Sequence, residues 1–335
     1  MASKGVAPKI ALITPAGRQS RAGNRATATR WARFLGELGC RVRVTQHFSE
    51  LAASARDVDL MIALHAWRSH DSIRDFREAF PEHPLILALT GTDLYRFQHS
   101  HVETVMDSLR RADALIGLHD RVKDDLPKRF HARLHIVVQS ALPLPPGAPG
   151  PGRRYFDVLV VGHLREEKDS LRAALAVRDL PEESRLRVIQ LGGAHSDGWA
   201  RAAREEMARN PRYQWLGDLA HWRVRQWMAR ARLMVISSHM EGGANVVSEA
   251  CVAGLPVIAS EIPGNRGLLG DDYPGVFPVG DTGALRSLLL QAERSPAFLD
   301  DLRQRVNALA PRCRPEAERE ALARVLEACK ITTRR

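Results

Sequence analysis

Short apolar runs, each followed by a polar loop and an amphipathic stretch, recur along the whole chain. Lys9 to Thr14 predicts a first strand built on Ile10-Ala11-Leu12-Ile13. A polar loop from Pro15 to Arg25 follows, and Trp31, Phe34, Leu35 and Leu38 then mark the apolar side of a helix that stops at Gly39. Arg41 to Thr45 alternates as a second strand. Further strands are predicted at Asp59 to Leu64, Leu85 to Leu89, Ala114 to Ile116 and Leu134 to Val138, with helices near Ser72–Phe80 and Glu103–Arg111. Strand, glycine loop, helix, strand is the opening of a doubly wound α/β domain.

Leu142 to Gly152 is dense in proline and glycine and reads as a linker. The alternation then begins again. Strands are predicted at Phe156 to Gly162, Arg187 to Leu191, Leu233 to Ile236 and Pro256 to Ala259, with helices at Trp199–Arg209 and Trp222–Arg230 and a closing helix from Glu316 to Lys330. The implied organisation is a Rossmann-like domain over 1–142, a hinge over 143–152, a second Rossmann-like domain over 153–314, and a helix with a tail over 315–335.

A length of 335 residues with 44% hydrophobic positions fits two such domains. No apolar run approaches the ~20 residues of a bilayer span, and Met1 to Pro8 has no signal-peptide core, so a cytoplasmic protein without membrane insertion is expected. The four cysteines show no CxxC pattern, which argues for reduced, packed thiols. His131 and His135 have helical ligand spacing but no third ligand nearby, and no metal site is expected. The net charge of +10 is dispersed, without a basic run or a binding module, so anionic small substrates are favoured over nucleic acid.

Ser237 to Ser260 is where chemistry concentrates. Gly242 and Gly243 free the backbone to approach a ligand just before a helix begins, and a helix N-terminus is a natural phosphate seat. Glu241 and Glu249 bracket that seat. Carboxylates repel phosphate, so their use is to accept hydrogen bonds from hydroxyls, and a nucleotide-sugar is the implied ligand. At the other end of the chain, Arg18, Arg21 and Arg25 surround Gly23 and Asn24 in a basic loop suited to an anion, although no strict GxGxxG is present. Strand ends also carry His65 to Ser69 and Thr90 to Arg96.

Glu241, seven residues, Glu249-Ala250 and then Gly254-Leu255-Pro256-Val257 together resemble the signature of the family 4 glycosyltransferases. That resemblance implies the GT-B architecture, two Rossmann-like domains facing across a cleft with the last helix crossing back to the first domain. Gly162-His163-Leu164 followed by Lys168 corresponds to the family's Gly-Arg-Leu-x3-Lys, with His163 in place of arginine and Arg165 a substitute for the lost charge. Thr90-Gly91-Thr92-Asp93-Leu94 lacks the histidine usual at its first position. With Ser20 to Arg25, Ile262-Pro263-Gly264-Asn265 and Gly267 to Gly275, the set resembles the selenosugar synthases of selenoneine biosynthesis across roughly Lys9 to Asp281.

The resemblance implies transfer from UDP-glucose or UDP-N-acetylglucosamine to selenophosphate, releasing UDP, without a metal cofactor. It gives donor roles to Gly23, His163, Arg165, Lys168, Glu241, Gly242, Gly243, Ala244, Asn245, Val246 and Glu249, and acceptor roles to Arg18, Arg21, Asn24, Arg25, Thr90 and Asp93. Lys168, Glu241, Arg21 and Asn24 are the implied catalytic group. Two other readings stay open: a family 4 transferase with an ordinary hydroxyl or thiol acceptor, and a nucleotide-sugar-binding protein without turnover.

Overall fold

The computed structural model describes residues 7–17, 23–51 and 57–332. The chain divides into two compact units, one formed by Met1–Gln139 with Pro315–Arg335 and the other by Ser140–Arg314. The proline-rich linker therefore groups with the second unit.

In the first unit the strands are β1 (Lys9–Ile13), β2 (Arg41–Thr45), β3 (Leu60–Leu64), β4 (Leu85–Ala88), β5 (Ala114–Gly117) and β6 (Leu134–Ile136). Among the described residues they form one parallel sheet in the order β2-β1-β3-β4-β5-β6, with Leu12 opposite Ile62 and Ile62 opposite Ile86. β3 and β4 are buried along their whole length, which is why they read as unbroken apolar runs. The order reverses between β1 and β3, and ligands of such sheets gather beyond the strand ends at that point.

One face of this sheet packs against the helix Gly23–Glu37 through Ala28, Trp31, Phe34 and Leu35. The helix Pro315–Ala328 completes the same core with Ala321, Leu322, Val325 and Leu326. Glu318 anchors it. Its buried carboxylate accepts from Arg30 Nε at 2.7 Å, Arg30 Nη2 at 3.1 Å and Trp31 Nε1 at 2.7 Å. The opposite face is covered by Phe48, Ile73, Phe76, Leu109 and Phe130.

The second unit holds β7 (Phe156–Val161), β8 (Leu186–Leu191), β9 (Tyr213–Trp215), β10 (Leu233–Ile236), β11 (Val257–Ser260) and β12 (Val276–Phe277). Its parallel order is β12-β11-β10-β7-β8-β9, and the reversal lies between β7 and β10. β9 and β12 are short edge strands absent from the sequence-based assignment, as are the helices Thr282–Arg294 and Pro296–Leu309. Among the described residues, no helix is long and apolar enough to cross a membrane.

Candidate functional site

The strand ends of β7 and β10 border a small pocket lined by Val161, Gly162, Lys168, Ser237, Ser238 and Val246. Beyond β7 the chain turns through Glu166–Lys168, and Asp169 closes the turn in the left-handed region at φ 45°. Ser237 ties that turn to the end of β10, donating its hydroxyl to the carbonyls of Lys168 at 3.1 Å and Asp169 at 3.0 Å. The amide of His239 donates to Glu167 O at 2.9 Å. The backbone beneath Lys168 is held from the neighbouring strand.

So placed, Lys168 Nζ donates to Glu241 Oε1, and Ser238 Oγ donates to the same oxygen at 2.6 Å. The two charged side chains are only 20% and 11% exposed, so neither is well solvated without the other. Glycine sets the position of the Glu241 loop. A Cβ on Gly264, in the helix Pro263–Leu269, would lie 2.0 Å from Glu241 O. Gly192 does the same for the β7 loop: its φ is +139° and a Cβ would meet Gly162 O at 2.1 Å.

The helix Asn245–Ala253 begins beside this pair. Ala244 sits at its N-cap with extended backbone and no side-chain cap among the described residues, so the first turn presents backbone N–H groups. Glu249 lies one turn along. Its Oε1 is 3.3 Å from His221 Nε2, and its carbonyl accepts from Arg225 Nη1 at 3.2 Å. The hydrogen bond to Glu249, with the charge of that carboxylate, raises the His221 pKa against the opposing effect of burial.

In the first unit the strand ends of β3 and β4 converge on a second cluster. His65 is buried with a backbone φ of 80°, in a region that side chains other than glycine rarely adopt. Its Nδ1 lies 2.6 Å from Asp93 Oδ1, and its Nε2 lies 3.0 Å from the Thr92 hydroxyl. Asp93 also accepts from the amides of Trp67 at 3.2 Å and Thr90 at 3.0 Å, and from the Thr90 hydroxyl at 3.0 Å. Asp93–Phe97 forms a π-helical turn, a local distortion frequent at functional sites. Trp67 stacks on Phe97 at 4.2 Å beside it.

Lys168, Glu241, Gly242, Gly243, Ala244, Asn245, Val246 and Glu249 thus lie along one loop and helix start, with Lys168 brought in from β7. Lys168 and Glu241, given separate tasks above, hold each other. His163 is turned toward β8, where its Nδ1 accepts from the Gly193 amide at 3.1 Å. Arg165 is 38% exposed and lies 4.0 Å from Glu167. Asp93 is 1% exposed, with both carboxylate oxygens engaged by His65, Trp67 and Thr90. Gly23, Asn24 and Arg25 open the first helix, whereas Arg18 and Arg21 lie outside the described residues.

Sequence reasoning placed Ser237 and Ser238 in the polar loop and His65 at a strand end, and missed the pairings that draw them into these clusters. A histidine ending one strand and Thr-Gly-Thr-Asp ending its neighbour was the available signal for His65. Among the described residues, no group of three His, Cys, Asp or Glu side chains could hold a metal ion.

Residues 149–309 match the family model described as "Glycosyl transferases group 1". No curated protein matches the sequence. In structure the chain is similar to HepE of Anabaena, solved in complex with UDP, at 15% identity and a TM-score of 0.76 over 96% of this chain and 100% of that one. It is also similar to the sucrose-phosphate synthase of Thermosynechococcus elongatus, at 19% identity and a TM-score of 0.74 over 96% and 98% of the two chains. A third likeness is to the pneumococcal O-GlcNAc transferase GtfA in complex with UDP and GlcNAc, at 17% identity and a TM-score of 0.61 over 81% and 57%. At such identities the likeness speaks for the fold, which is GT-B.

Proposed function

We propose that this chain, whose residues 149–309 form a group 1 glycosyltransferase domain within a GT-B fold, transfers a sugar from a UDP-sugar to selenophosphate and releases UDP. The observation that carries the donor half is the Lys168–Glu241 pair beside the N-terminus of helix Asn245–Ala253, at the β7/β10 reversal. The solved complexes of HepE with UDP and with UDP-glucose support a UDP-sugar as donor. The acceptor half rests on the motifs shared with the selenosugar synthases and on the basic residues from Arg18 to Arg25.

On this reading Lys168 leaves Glu241 for the UDP phosphates and neutralises the charge that grows as the anomeric C–O bond breaks. Backbone N–H groups from Gly242 to Asn245 share that charge. Glu241, released from Lys168, accepts from a hydroxyl of the donor sugar, and Glu249 accepts from the ribose. Arg21, Asn24 and Arg25 bind the acceptor anion, which otherwise repels an anionic donor.

Mass spectrometry of reactions containing UDP-glucose or UDP-N-acetylglucosamine with selenophosphate tests the product. UDP release is measured in parallel in wild type, Lys168→Ala and Glu249→Ala. A 1-seleno-sugar made by wild type and strongly reduced in both variants is expected. Equal turnover in all three proteins removes the donor assignment, and a glycoside formed only with hydroxyl or thiol acceptors removes the selenium one.

A further inference from the structure

We propose that His221 positions Glu249 for the ribose of the donor nucleotide and, when protonated, offsets the charge of that carboxylate beside the diphosphate. The inference deepens the UDP-sugar reading and rests on its donor half.

Every group involved lies in the second unit. His221 opens the helix His221–Arg230, which follows β9 and packs beside the helix Asn245–Ala253. Glu249 stands four residues beyond Asn245, so it shares a face with the start of its helix, about one turn along. On the donor reading, a phosphate seated at that helix start carries its ribose to this carboxylate.

Glu249 is short of donors. Its side chain is only 17% exposed, yet among the described residues the one hydrogen bond to its carboxylate comes from His221 Nε2, 3.3 Å from Oε1. An ionised carboxylate accepts up to about four, and the vicinal hydroxyls of a ribose supply further donors. Arg225 ties the two helices through backbone instead. It is 7% exposed and donates to Glu249 O at 3.2 Å and to Leu142 O at 2.7 Å. Docking of the helices is therefore served without His221, whose side chain is 72% exposed. An exposed imidazole that turns in over a shielded carboxylate fixes the direction of that carboxylate.

The same contact carries charge. A carboxylate only accepts, so Nε2 holds a proton in both charge states and the proton on Nδ1 decides the charge of the ring. The charged groups acting on it are Glu249 from the neighbouring helix and Arg225 from its own. The hydrogen bond to Glu249, with the charge of that carboxylate, keeps the ring protonated above its ordinary 6.5, against burial and the charge of Arg225. UDP brings negative charge toward Glu249, so an imidazolium beside that carboxylate favours binding and a neutral ring does not. The gain is complete below about pH 6.5 and is lost as the pH rises through the raised pKa.

Calorimetry on the full chain compares UDP with 2′,3′-dideoxy-UDP, which lacks both ribose hydroxyls, at about pH 6 and about pH 8.5, on either side of the imidazole titration. His221→Gln keeps a donor without the charge, and His221→Ala keeps neither. In His221→Ala, UDP is expected to bind about fivefold more weakly, the scale of one hydrogen bond to a charged group, with dideoxy-UDP changed less and the melting temperature unchanged. In His221→Gln the preference for the full ribose persists. Absent from it is the loss of UDP affinity that the ring adds in wild type between the two pH values, about threefold as for an exposed ion pair. Titration of UDP itself is common to all three proteins and cancels in that comparison. Equal losses for both nucleotides in His221→Ala overturn the positioning role, and equal pH profiles in wild type and His221→Gln overturn the charge role. A lowered melting temperature in both variants makes His221 a structural tie and overturns the proposal. UDP that binds none of the proteins overturns the donor reading itself.

Discussion

Lys168 and Glu241 share an ion pair in which Ser238 joins the carboxylate oxygen that Lys168 also touches. The cation proposed for phosphate and the carboxylate proposed for hydroxyls are therefore each other's partner. A nucleotide that recruits Lys168 has to separate them.

That competition gives the first prediction. Glu241→Gln frees Lys168, so UDP alone binds several-fold tighter while turnover of a UDP-sugar falls. Lys168→Ala weakens both and lowers kcat by about 100-fold, the scale of one lost charge-stabilising donor. Calorimetry with UDP and with UDP-glucose measures the difference. Equal UDP affinity in wild type and Glu241→Gln would contradict the competition.

Gly264 has no room for a methyl group. Its Cβ would sit 2.0 Å from Glu241 O, against backbone and not against a side chain that can swing away. Gly264→Ala is expected to displace the Glu241 loop, to lose UDP binding and to cost about 2 kcal/mol or more, as overpacking does. Thermal unfolding and UDP titration read the two effects separately.

Acid stability should depend on His119. It is fully buried, its Nδ1 finds no hydrogen-bond partner among the described residues, and the Tyr95 hydroxyl lies 3.1 Å from its Nε2. Burial lowers its pKa to about 4 from an ordinary 6.5, so the folded protein resists the proton that the unfolded chain accepts. The stabilisation is complete above about 6.5 and is lost as the pH falls toward 4, amounting to roughly 3 kcal/mol. Urea unfolding from pH 7 to 4 should show this slope, and it should flatten in His119→Gln.

Glu318 offers a fourth measurement. Its carboxylate is buried and accepts from Arg30 and Trp31, so Glu318→Ala removes the acceptor of a buried indole N–H and of part of a half-buried guanidinium. A loss of about 3 kcal/mol is expected, visible as a lower urea midpoint. A change within experimental error would show that water satisfies those donors.

Much of the fold was legible because parallel strands buried on both faces appear as bare apolar runs, as Leu60–Leu64 and Leu233–Ile236 do. Tyr213–Trp215 and Val276–Phe277 escaped because two or three residues at a sheet edge carry no periodicity. The Glu241 loop was legible as a candidate because its glycines and carboxylates lie within one short stretch. Its inner pairing was not, since Lys168 and Glu241 meet only when β7 and β10 lie side by side. The pairing of His65 with Asp93 was hidden for the same reason, since they stand at the ends of adjacent strands β3 and β4.

The helix carrying Glu318 is made after all of Ser140–Arg314, yet it belongs to the unit that begins the chain. A ribosome therefore releases the whole second unit before Trp31 and Leu12 can receive Leu322 and Val325. The first unit waits, with part of its core open to water, while the second can already close. Order of birth and order of completion are reversed, so the half translated first is the one that needs protection from aggregation longest.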